Sequence, residues 1–294
     1  MNNTILVAGA TGNLGEKICH RLIERNAHVK AIVRANSDAD KVKSLKDAGV
    51  DVIQVDFNDH QSLQSACAGA SCVVSTLAGL REVIVTVQSQ LLDAAVSAGV
   101  PRFIPSDFCT DYTQLSKGDN RNFDLRKEFQ ALIDQRPVKA TSIFNGAFSY
   151  VLQYGIPLLN TKNKTIAYYE DKLDWKVDFT TLDDTAAFTA AAALDNDTPR
   201  YLNIAGFQVS PQDLAALTER LYGKAFKLVN EGSMEQFLIN NNAFRAEHPE
   251  GENELYPRWQ QAQYLYSMFA AHHQHLDNVR YPELSWSSVE DVLK

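Results

Sequence analysis

Short apolar runs alternate with helical apolar patterns through the first half of this 294-residue chain. The runs are rich in β-branched residues and too short for helices, which predicts buried strands. We place these strands at residues 5–8, 28–34, 50–57, 71–77, 100–108 and 141–146. Helical periodicity between them predicts helices over residues 61–68, 84–98 and 124–134. Strands and helices that alternate at this spacing form right-handed βαβ units, so the pattern predicts a parallel sheet.

The first predicted strand leads into three glycines, Gly9, Gly12 and Gly15, and then into a helical pattern. A strand, a tight turn and a helix in this order form a nucleotide-binding motif. In such a motif Gly9 would allow the turn, Gly12 would let the backbone approach a diphosphate, and Gly15 would let the helix pack closely. The amides and positive dipole at the start of the helix would face the phosphates. The segment therefore predicts dinucleotide binding.

The second predicted strand ends in a cation, Arg34. NAD-binding folds place an acidic residue near this point to accept the ribose hydroxyls, whereas an arginine suits a 2′-phosphate. The next acidic residue, Asp38, comes four positions later. We therefore predict NADP(H) as the cofactor. Lys41 and Lys43 could add a second cation, or could be ordinary exposed helix lysines.

The regular alternation weakens after residue 147. Helices are predicted over residues 212–222, 234–247 and 254–275, the first of them introduced by Ser210 as N-cap and by Pro211. This part would pack over the carboxyl ends of the strands, where ligands of α/β folds bind. The predicted fold is α/β: a Rossmann-type doubly wound parallel sheet with a smaller C-terminal α+β substrate lobe. Residues 1–150 would form the NADP-binding domain, and residues 151–294 the lobe, packed on it or continuous with it.

Charge and hydropathy narrow the possible partners and locations. A net charge of −8 argues against a nucleic-acid-binding face, which would be basic. The chain has no apolar run of the roughly 20 residues that a membrane span requires. The first strand begins almost at residue 1, which leaves no room for a signal peptide. These features predict a cytoplasmic protein without a nucleic-acid or membrane partner.

The cysteines and histidines suggest no metal centre. The four cysteines lack C-x-x-C spacing and are predicted to be reduced, buried thiols: Cys19, Cys67, Cys72 and Cys109. The histidine-rich stretch 272–275 has no carboxylate or cysteine at ligand spacing. We therefore predict a solvated helix end there and no metal site.

Several segments together resemble the NmrA-like atypical short-chain dehydrogenase/reductases, and among them the isoflavone reductase and phenylcoumaran benzylic ether reductase branch. The segments are residues 9–15 (GATGNLG), 33–34, 75–77, 102–108 (RFIPSDF) and 179–184 (FTTLDD). The resemblance implies a Rossmann domain, NADPH and a small aromatic substrate. It also implies a catalytic lysine on the helix after the fifth strand.

The chain departs from this branch at that lysine. Alignment of the helix puts Arg126 at the lysine position, with Lys127 one residue later. One residue turns a side chain by about 100° around a helix, so both cannot face the cofactor. Lysine can exchange a proton when it is desolvated, whereas arginine stays protonated. Arg126 could polarise a carbonyl group, or could be a cation that anchors a carboxylate or phosphate without chemistry. We take Arg126 and Lys127 as the candidate catalytic residues.

Two tyrosines are alternative candidates for the catalytic group. Tyr168 and Lys172 match the Tyr-x-x-x-Lys pattern of ordinary short-chain dehydrogenases, but they fall in an extended segment rather than on the required helix, which argues against a catalytic pair. Tyr112 follows the 102–108 segment and could lie near the cleft, although a packing role is favoured. The predicted cofactor-binding set is Gly9, Ala10, Thr11, Gly12, Asn13, Leu14, Gly15, Arg34, Lys43, Asp56, Phe57, Leu77, Ala78 and Ser106.

Two functions remain open at this stage. The first is an NADPH-dependent reductase of a small, aromatic carbonyl, enone or benzylic ether, with substrate held by Phe108, Arg126 and apolar residues between 144 and 152. The second is a non-catalytic NADP(H)-binding redox sensor of NmrA type, with a protein partner. The missing lysine motivates the second hypothesis.

Overall fold

A six-stranded parallel sheet forms the centre of the computed structural model, which describes residues 3–294. Its strand order is β3-β2-β1-β4-β5-β6. Strands β2 and β3 are therefore added on one side of β1 and strands β4 to β6 on the other, so the strand order reverses between β1 and β4. The prediction of a Rossmann-type parallel sheet is confirmed. The strands are β1 Thr4–Ala8, β2 His28–Val33, β3 Asp51–Gln54, β4 Cys72–Ser75, β5 Arg102–Ile104, β6 Lys139–Ala140, β7 Ser142–Phe144, β8 Ala147–Phe148, β9 Thr165–Tyr168, β10 Val177–Thr180, β11 Tyr201–Asn203, β12 Phe207–Val209 and β13 Lys227–Asn230.

The helices cover both faces of this sheet and build the C-terminal part. They are α1 Asn13–Glu24, α2 Ala39–Asp47, α3 His60–Cys67, α4 Gln88–Ser97, α5 Arg121–Ile133, α6 Leu182–Leu194, α7 Pro211–Tyr222, α8 Met234–Glu247, α9 Arg258–Ala270 and α10 Val289–Leu293. A π-helical segment, Glu82–Val87, directly precedes α4.

Strand β1 is buried on both faces because successive side chains point to opposite sides of the sheet. Ile5 and Val7 belong to a core with α1 and α6, whereas Leu6 and Ala8 belong to a second core with α3, α4 and α5. A strand with two covered faces needs an apolar residue at every position, which explains the continuous apolar run. Helix α6 packs directly against α1, on the same face of the sheet.

The predicted sixth strand, residues 141–146, begins where the chain leaves the main sheet, whose sixth strand is residues 139–140. Lys139–Ala140 pairs with β5 in the main sheet, whereas Ser142–Phe144 pairs with β11. The change of partner occurs at Thr141, whose hydroxyl contacts Thr198 and Pro199. An apolar run predicts a strand but not its neighbour, so the sequence could not show this switch.

The last predicted helix, residues 254–275, is shorter in the structure. Pro257 occupies the N-cap of α9, so the helix begins only at Arg258, and it ends at Ala270. The prediction of a solvated helix end is wrong, because His273 lies beyond the helix and is 3% exposed. Burial lowers the pKa of His273, and its Nε2 lies 3.9 Å from Asp178 Oδ2. Within residues 3–294 no cluster of His, Cys, Asp or Glu could hold a metal ion.

The cysteines are buried and unpaired, as predicted. Burial raises the pKa of Cys67 to about 12, so its thiol stays protonated at neutral pH. No helix in the described range, 3–294, is both long enough and apolar enough to cross a bilayer.

Candidate functional site

The glycine turn after β1 has the geometry that a bound diphosphate requires. Gly9 has φ of 82°, a conformation that side chains with a Cβ rarely adopt, and its carbonyl accepts a hydrogen bond from the Gly12 amide at 2.9 Å. A Cβ on Gly15 would lie 2.4 Å from the Gly9 carbonyl oxygen, so only glycine lets α1 start this close to the turn. A Cβ on Gly12 would meet only that same oxygen, at 3.2 Å. Gly12 therefore leaves the backbone open towards the cleft.

This turn forms one wall of a cleft of about 680 Å³ at the carboxyl ends of β1 to β4. A cleft of this size is typical of sites for small molecules and cofactors. Eight residues of the predicted cofactor set line it: Gly9, Thr11, Gly12, Arg34, Asp56, Phe57, Leu77 and Ala78. The cleft lies at the point where the strand order reverses, which is where α/β folds bind their ligands.

Other members of the predicted set lie behind or beside this cleft. Ala10 is fully buried, Gly15 is buried in α1, and Leu14 packs on the core that contains α1. Asn13 is exposed at the first position of α1. None of these four residues lines the cleft as the described residues form it.

The lysines at the start of α2 differ in their contacts. Lys43 Nζ pairs with Asp47 at 2.6 Å on the exposed side of the helix and does not line the cleft. Lys41 Nζ instead donates to the carbonyl oxygen of Thr11 at 3.0 Å, beside the glycine turn. The contacts therefore favour Lys41 over Lys43 as the second cation near the cofactor.

Arg34 is exposed at the rim of the cleft, and its surroundings suit an anion. Its backbone amide donates to Ser37 Oγ at 3.0 Å, which orders the loop after β2. The Asp38 carboxylate is occupied at the N-cap of α2, where it accepts from the Asp40 and Lys41 amides. The Asp56 carboxylate likewise accepts from the Asn58 amide. Arg34 therefore lines this end of the cleft, and Lys41 lies beside the glycine turn.

A buried hydrogen-bond network joins the ends of β4 and β5. Ser106 Oγ donates to the Leu77 carbonyl at 2.6 Å, and the Ser106 amide donates to Gln88 Oε1 at 2.9 Å. Gln88 is fully buried and donates back to the Ile84 carbonyl in the π-helical segment. Sequence analysis missed Gln88, whose only signal was a polar residue on the apolar face of its helix. Ser106 thus supports the cleft wall from behind rather than lining it.

The two candidate catalytic residues on α5 point in different directions. Arg126 Nε donates to the Ser106 carbonyl and Nη1 donates to the Asn122 carbonyl, each at 3.0 Å. Lys127 Nζ donates to the Leu115 carbonyl at 2.7 Å, within the loop that precedes the helix. Arg126 is therefore the cation at the end of β5, and Lys127 is held away from it.

A buried carboxylate lies behind Arg126. Asp107 is 1% exposed and accepts hydrogen bonds from Tyr112 Oη at 2.9 Å and from Ser142 Oγ at 2.7 Å. Burial raises the pKa of Asp107, and the two hydrogen bonds and the Arg126 charge oppose that shift. Tyr112 is fully buried with its hydroxyl committed to Asp107, so it packs in the core and does not face the cleft.

A tyrosine that sequence analysis missed lies beside Arg126. Tyr264, on α9, accepts a hydrogen bond from Asn122 Nδ2 at 3.0 Å. Its ring makes an edge contact with Phe123, and Tyr256 lies beside it. Tyr264 is distant from Arg126 along the sequence, and no local motif marks it. The Tyr168 and Lys172 pair lies elsewhere, with Tyr168 at the end of β9 and Lys172 Nζ over the Trp175 ring at 4.0 Å.

Comparisons with known proteins agree on one group. The model of the NmrA-like family matches residues 1–247. Pinoresinol reductase 1 of Arabidopsis thaliana is 29% identical over 274 residues, 86% of this chain and 84% of that protein. Probable pinoresinol-lariciresinol reductase 3 of the same plant is 30% identical over 73% of this chain and 70% of its own length.

Solved structures resemble the fold over the whole chain. AtPrR2 with NADP+ and (+)pinoresinol has a TM-score of 0.78 at 24% identity, covering 100% of this chain and 98% of that one. A crystal structure of isoflavone reductase has a TM-score of 0.81 at 20% identity, covering 100% and 99%.

Proposed function

Because the chain belongs to the NmrA-like family, we propose that it is an NADPH-dependent reductase of a small aromatic compound with a carbonyl, enone or benzylic ether group. The observation that carries this proposal is the continuity of the site. One wall of the glycine-turn cleft, at Leu77, is hydrogen-bonded to Ser106, whose carbonyl binds Arg126. A dinucleotide cleft that adjoins a fixed cation is suited to hydride transfer to a polarised substrate.

The residues present fit NADPH. Gly12 leaves its backbone accessible, and the start of α1 offers amides and a positive dipole to the diphosphate. Arg34 and Lys41 would hold the 2′-phosphate, and Leu77 and Ala78 would lie against the nicotinamide. When bound, NADPH supplies the hydride.

Arg126 would bind the substrate oxygen and stabilise the negative charge that develops there. Its two carbonyl contacts fix the guanidinium plane without neutralising its charge, because a carbonyl is a neutral acceptor. A fixed cation is already oriented when charge develops, so it stabilises the transition state more than a mobile one. Arginine cannot serve as the proton donor, because it does not lose its proton in proteins.

The C-terminal part would supply the substrate wall. Residues 151–294 would form this substrate lobe and residues 1–150 the cofactor domain. The relatives named above are reductases of pinoresinol and lariciresinol, which supports an aromatic substrate for this chain. We further propose a cytoplasmic enzyme with no nucleic-acid or membrane partner.

The test uses purified protein with NADPH and a panel of phenylpropanoids and quinones, followed by NADPH absorbance. We expect substrate-dependent oxidation of NADPH by the wild type, and loss of that oxidation in Arg126→Ala. Lys127→Ala is the matched control on the same helix, since Lys127 binds the Leu115 carbonyl instead. No oxidation above background across the panel would overturn the proposal.

The redox sensor is the second candidate, favoured by arginine in place of the family lysine. It predicts that NADP⁺ and NADPH bind without turnover and that one form alters binding of a protein partner. Calorimetry with NADP⁺ and with NADPH, combined with a pull-down of protein partners in the presence of each form, distinguishes the sensor from the reductase.

A further inference from the structure

We propose that Tyr264 is the proton donor of the reduction and that it acts on the same substrate oxygen as Arg126. This inference rests on the proposed reductase function. It answers the question that the arginine raises, namely which group supplies the proton.

Tyr264 and Arg126 are fixed by one shared residue. Asn122 Nδ2 donates to Tyr264 Oη at 3.0 Å, and the Asn122 carbonyl accepts from Arg126 Nη1 at 3.0 Å. Asn122 is itself 1% exposed, and its side chain also donates to the Leu255 carbonyl. The phenol oxygen of α9 and the guanidinium of α5 are therefore both anchored to a buried, fully engaged asparagine.

Both groups retain a donor that the fold does not use. Tyr264 Oη accepts from Asn122, so its own hydrogen points elsewhere, and no acceptor for it exists among residues 3–294. Arg126 uses Nε and Nη1, and its Nη2 likewise donates to no group in that range. The two free donors are held by the same residue, and the Arg126 charge acts on Tyr264, so we take them as a two-donor site for one substrate oxygen.

The electrostatics suit a proton donor at neutral pH. Burial raises the pKa of Tyr264 to about 12, whereas the Arg126 charge and the Asn122 hydrogen bond act in the opposite direction. Tyr256 and Cys109 add smaller contributions that raise this pKa. The phenol is therefore protonated before reaction, and the phenolate that forms is stabilised by the adjacent guanidinium.

The step balances as follows for a carbonyl substrate. Bound NADPH would supply the hydride for the new C–H bond, and the carbonyl π electrons would move to the substrate oxygen. The Tyr264 O–H bond breaks and its proton forms the alcohol O–H. The resulting phenolate takes a proton from water, so NADPH, one proton and the ketone give NADP⁺ and the alcohol.

The aromatic surroundings of Tyr264 fit the substrate class. Tyr264 contacts Phe123 edge-on, with ring centroids 5.3 Å apart, and lies 6.2 Å from Tyr256. Tyr256 is 56% exposed, so its ring is accessible to solvent. An aryl ring stacked there would bring an oxygen on its side chain towards the two donors.

Tyr264→Phe tests the proposal, with Tyr266→Phe as the matched control. Tyr266 lies on the same helix but packs on Phe237 of α8. General acids contribute about 10²–10⁴-fold, so we expect kcat of Tyr264→Phe to fall about 100-fold while KM changes less than about 3-fold. The solvent deuterium isotope effect on kcat should change in this variant, and Tyr266→Phe should match wild type in both.

A binding measurement makes the test independent of turnover. Calorimetry measures the affinity of the NADP⁺-loaded protein for 4-methylphenol, whose oxygen can accept a hydrogen bond from Tyr264. We expect about 5-fold weaker binding in Tyr264→Phe and unchanged binding in Tyr266→Phe. Unchanged kcat with an unchanged isotope effect would overturn the proposal. If the wild type turns over no substrate, the proposed reductase function is wrong whatever the role of Tyr264. Equal affinity of the wild type, Tyr264→Phe and Tyr266→Phe for 4-methylphenol would then also overturn the role of Tyr264.

Discussion

Replacement of Arg34 by alanine should change which nicotinamide cofactor the protein prefers. Arg34 stands at the rim of the cleft after β2, at the position where NAD-specific folds carry an acid. Within residues 3–294 the Arg34 guanidinium forms no ion pair with a carboxylate, and the Asp38 and Asp56 carboxylates accept backbone amides. We therefore propose the 2′-phosphate of the cofactor as the partner of Arg34.

The expected size of the effect follows from the exposure of Arg34. A hydrogen bond to a charged group contributes about 1.5–3 kcal/mol, and an exposed site lies at the lower end because solvent screens it. Loss of about 1.5 kcal/mol corresponds to roughly 10-fold weaker binding. Lys41 lies on the same side and is held at the Thr11 carbonyl, so it should retain part of the affinity. We expect roughly 10-fold weaker NADPH binding in Arg34→Ala and about 100-fold in Arg34→Ala with Lys41→Ala.

Calorimetric titration with NADPH and NADH measures this effect directly. NADH lacks the 2′-phosphate, so its affinity should be the same in wild type and Arg34→Ala. The wild-type advantage of NADPH should shrink as salt rises, because exposed charges are screened. Lys46→Ala controls for loss of a charge on exposed α2, and Lys43→Ala should behave like it because Lys43 pairs with Asp47. Equal loss of NADPH and NADH affinity in Arg34→Ala would refute the assignment of Arg34 to the 2′-phosphate.

Three further predictions concern the turn, the cation and the buried histidine. Gly9→Ala should lower the free energy of unfolding by about 3 kcal/mol, because Gly9 has a positive φ and an added Cβ would contact the end of β4. Gly49 is the control: its φ is 89° but its surroundings are open, so Gly49→Ala should lower the free energy of unfolding by only about 1 kcal/mol. Equal losses in urea unfolding would contradict the packing contribution at Gly9. Arg126→Ala should lower kcat about 10²–10³-fold with NADPH affinity unchanged, and weaker NADPH binding instead would assign the guanidinium to the cofactor. Burial lowers the pKa of His273 below 6.5, so the unfolded state binds more protons and stability falls as pH drops below that value. His273→Phe should remove this acid sensitivity in urea midpoints measured across pH, whereas exposed His60→Gln should keep it; the same slope in both variants would exclude His273.

The sequence could predict those parts of the molecule whose structure depends mainly on residues that are close together in the chain. The glycine turn is one of these, because a positive φ at Gly9 and the close start of α1 at Gly15 involve only neighbours in sequence and the end of β4. The strand periodicity of β1 likewise reflected its two buried faces. The choice of Arg34 depended on residue type at a known offset from the turn. Position and residue type were sufficient for the turn and the strand, and Arg34 lies at the rim of the cleft, where its role stays a prediction.

Features that depend on distant partners could not be predicted in the same way. The chain leaves the main sheet at Thr141, whose hydroxyl donates to the Pro199 carbonyl and shares a hydrogen bond with the Thr198 hydroxyl, and nothing near Thr141 in the sequence signals these contacts. His273 is buried against Asp178, on a strand far from it in sequence. The predicted solvent exposure of this histidine was therefore wrong. The predicted cofactor set contained Lys43 and not Lys41, whereas in the structure Lys41 binds the Thr11 carbonyl and Lys43 pairs with Asp47.

At the end of the site that contains Arg126, some features depend on neighbours in sequence and others on distant partners. The one-residue step between Arg126 and Lys127 showed that only one cation could face the strand ends, and the hydrogen bond to the Ser106 carbonyl identifies Arg126. Arginine in that place implies a separate proton donor, because the guanidinium keeps its protons. The sequence could thus indicate the missing chemical role but not the residue that we propose for it. Tyr264 reaches the site only because α9 packs against α5, where Asn122 binds both the phenol and the guanidinium. Substitution of Asn122 by Asp should therefore remove the amide donor to Tyr264 but leave the backbone carbonyl that accepts from Arg126, whereas Tyr264→Phe should remove the proton itself.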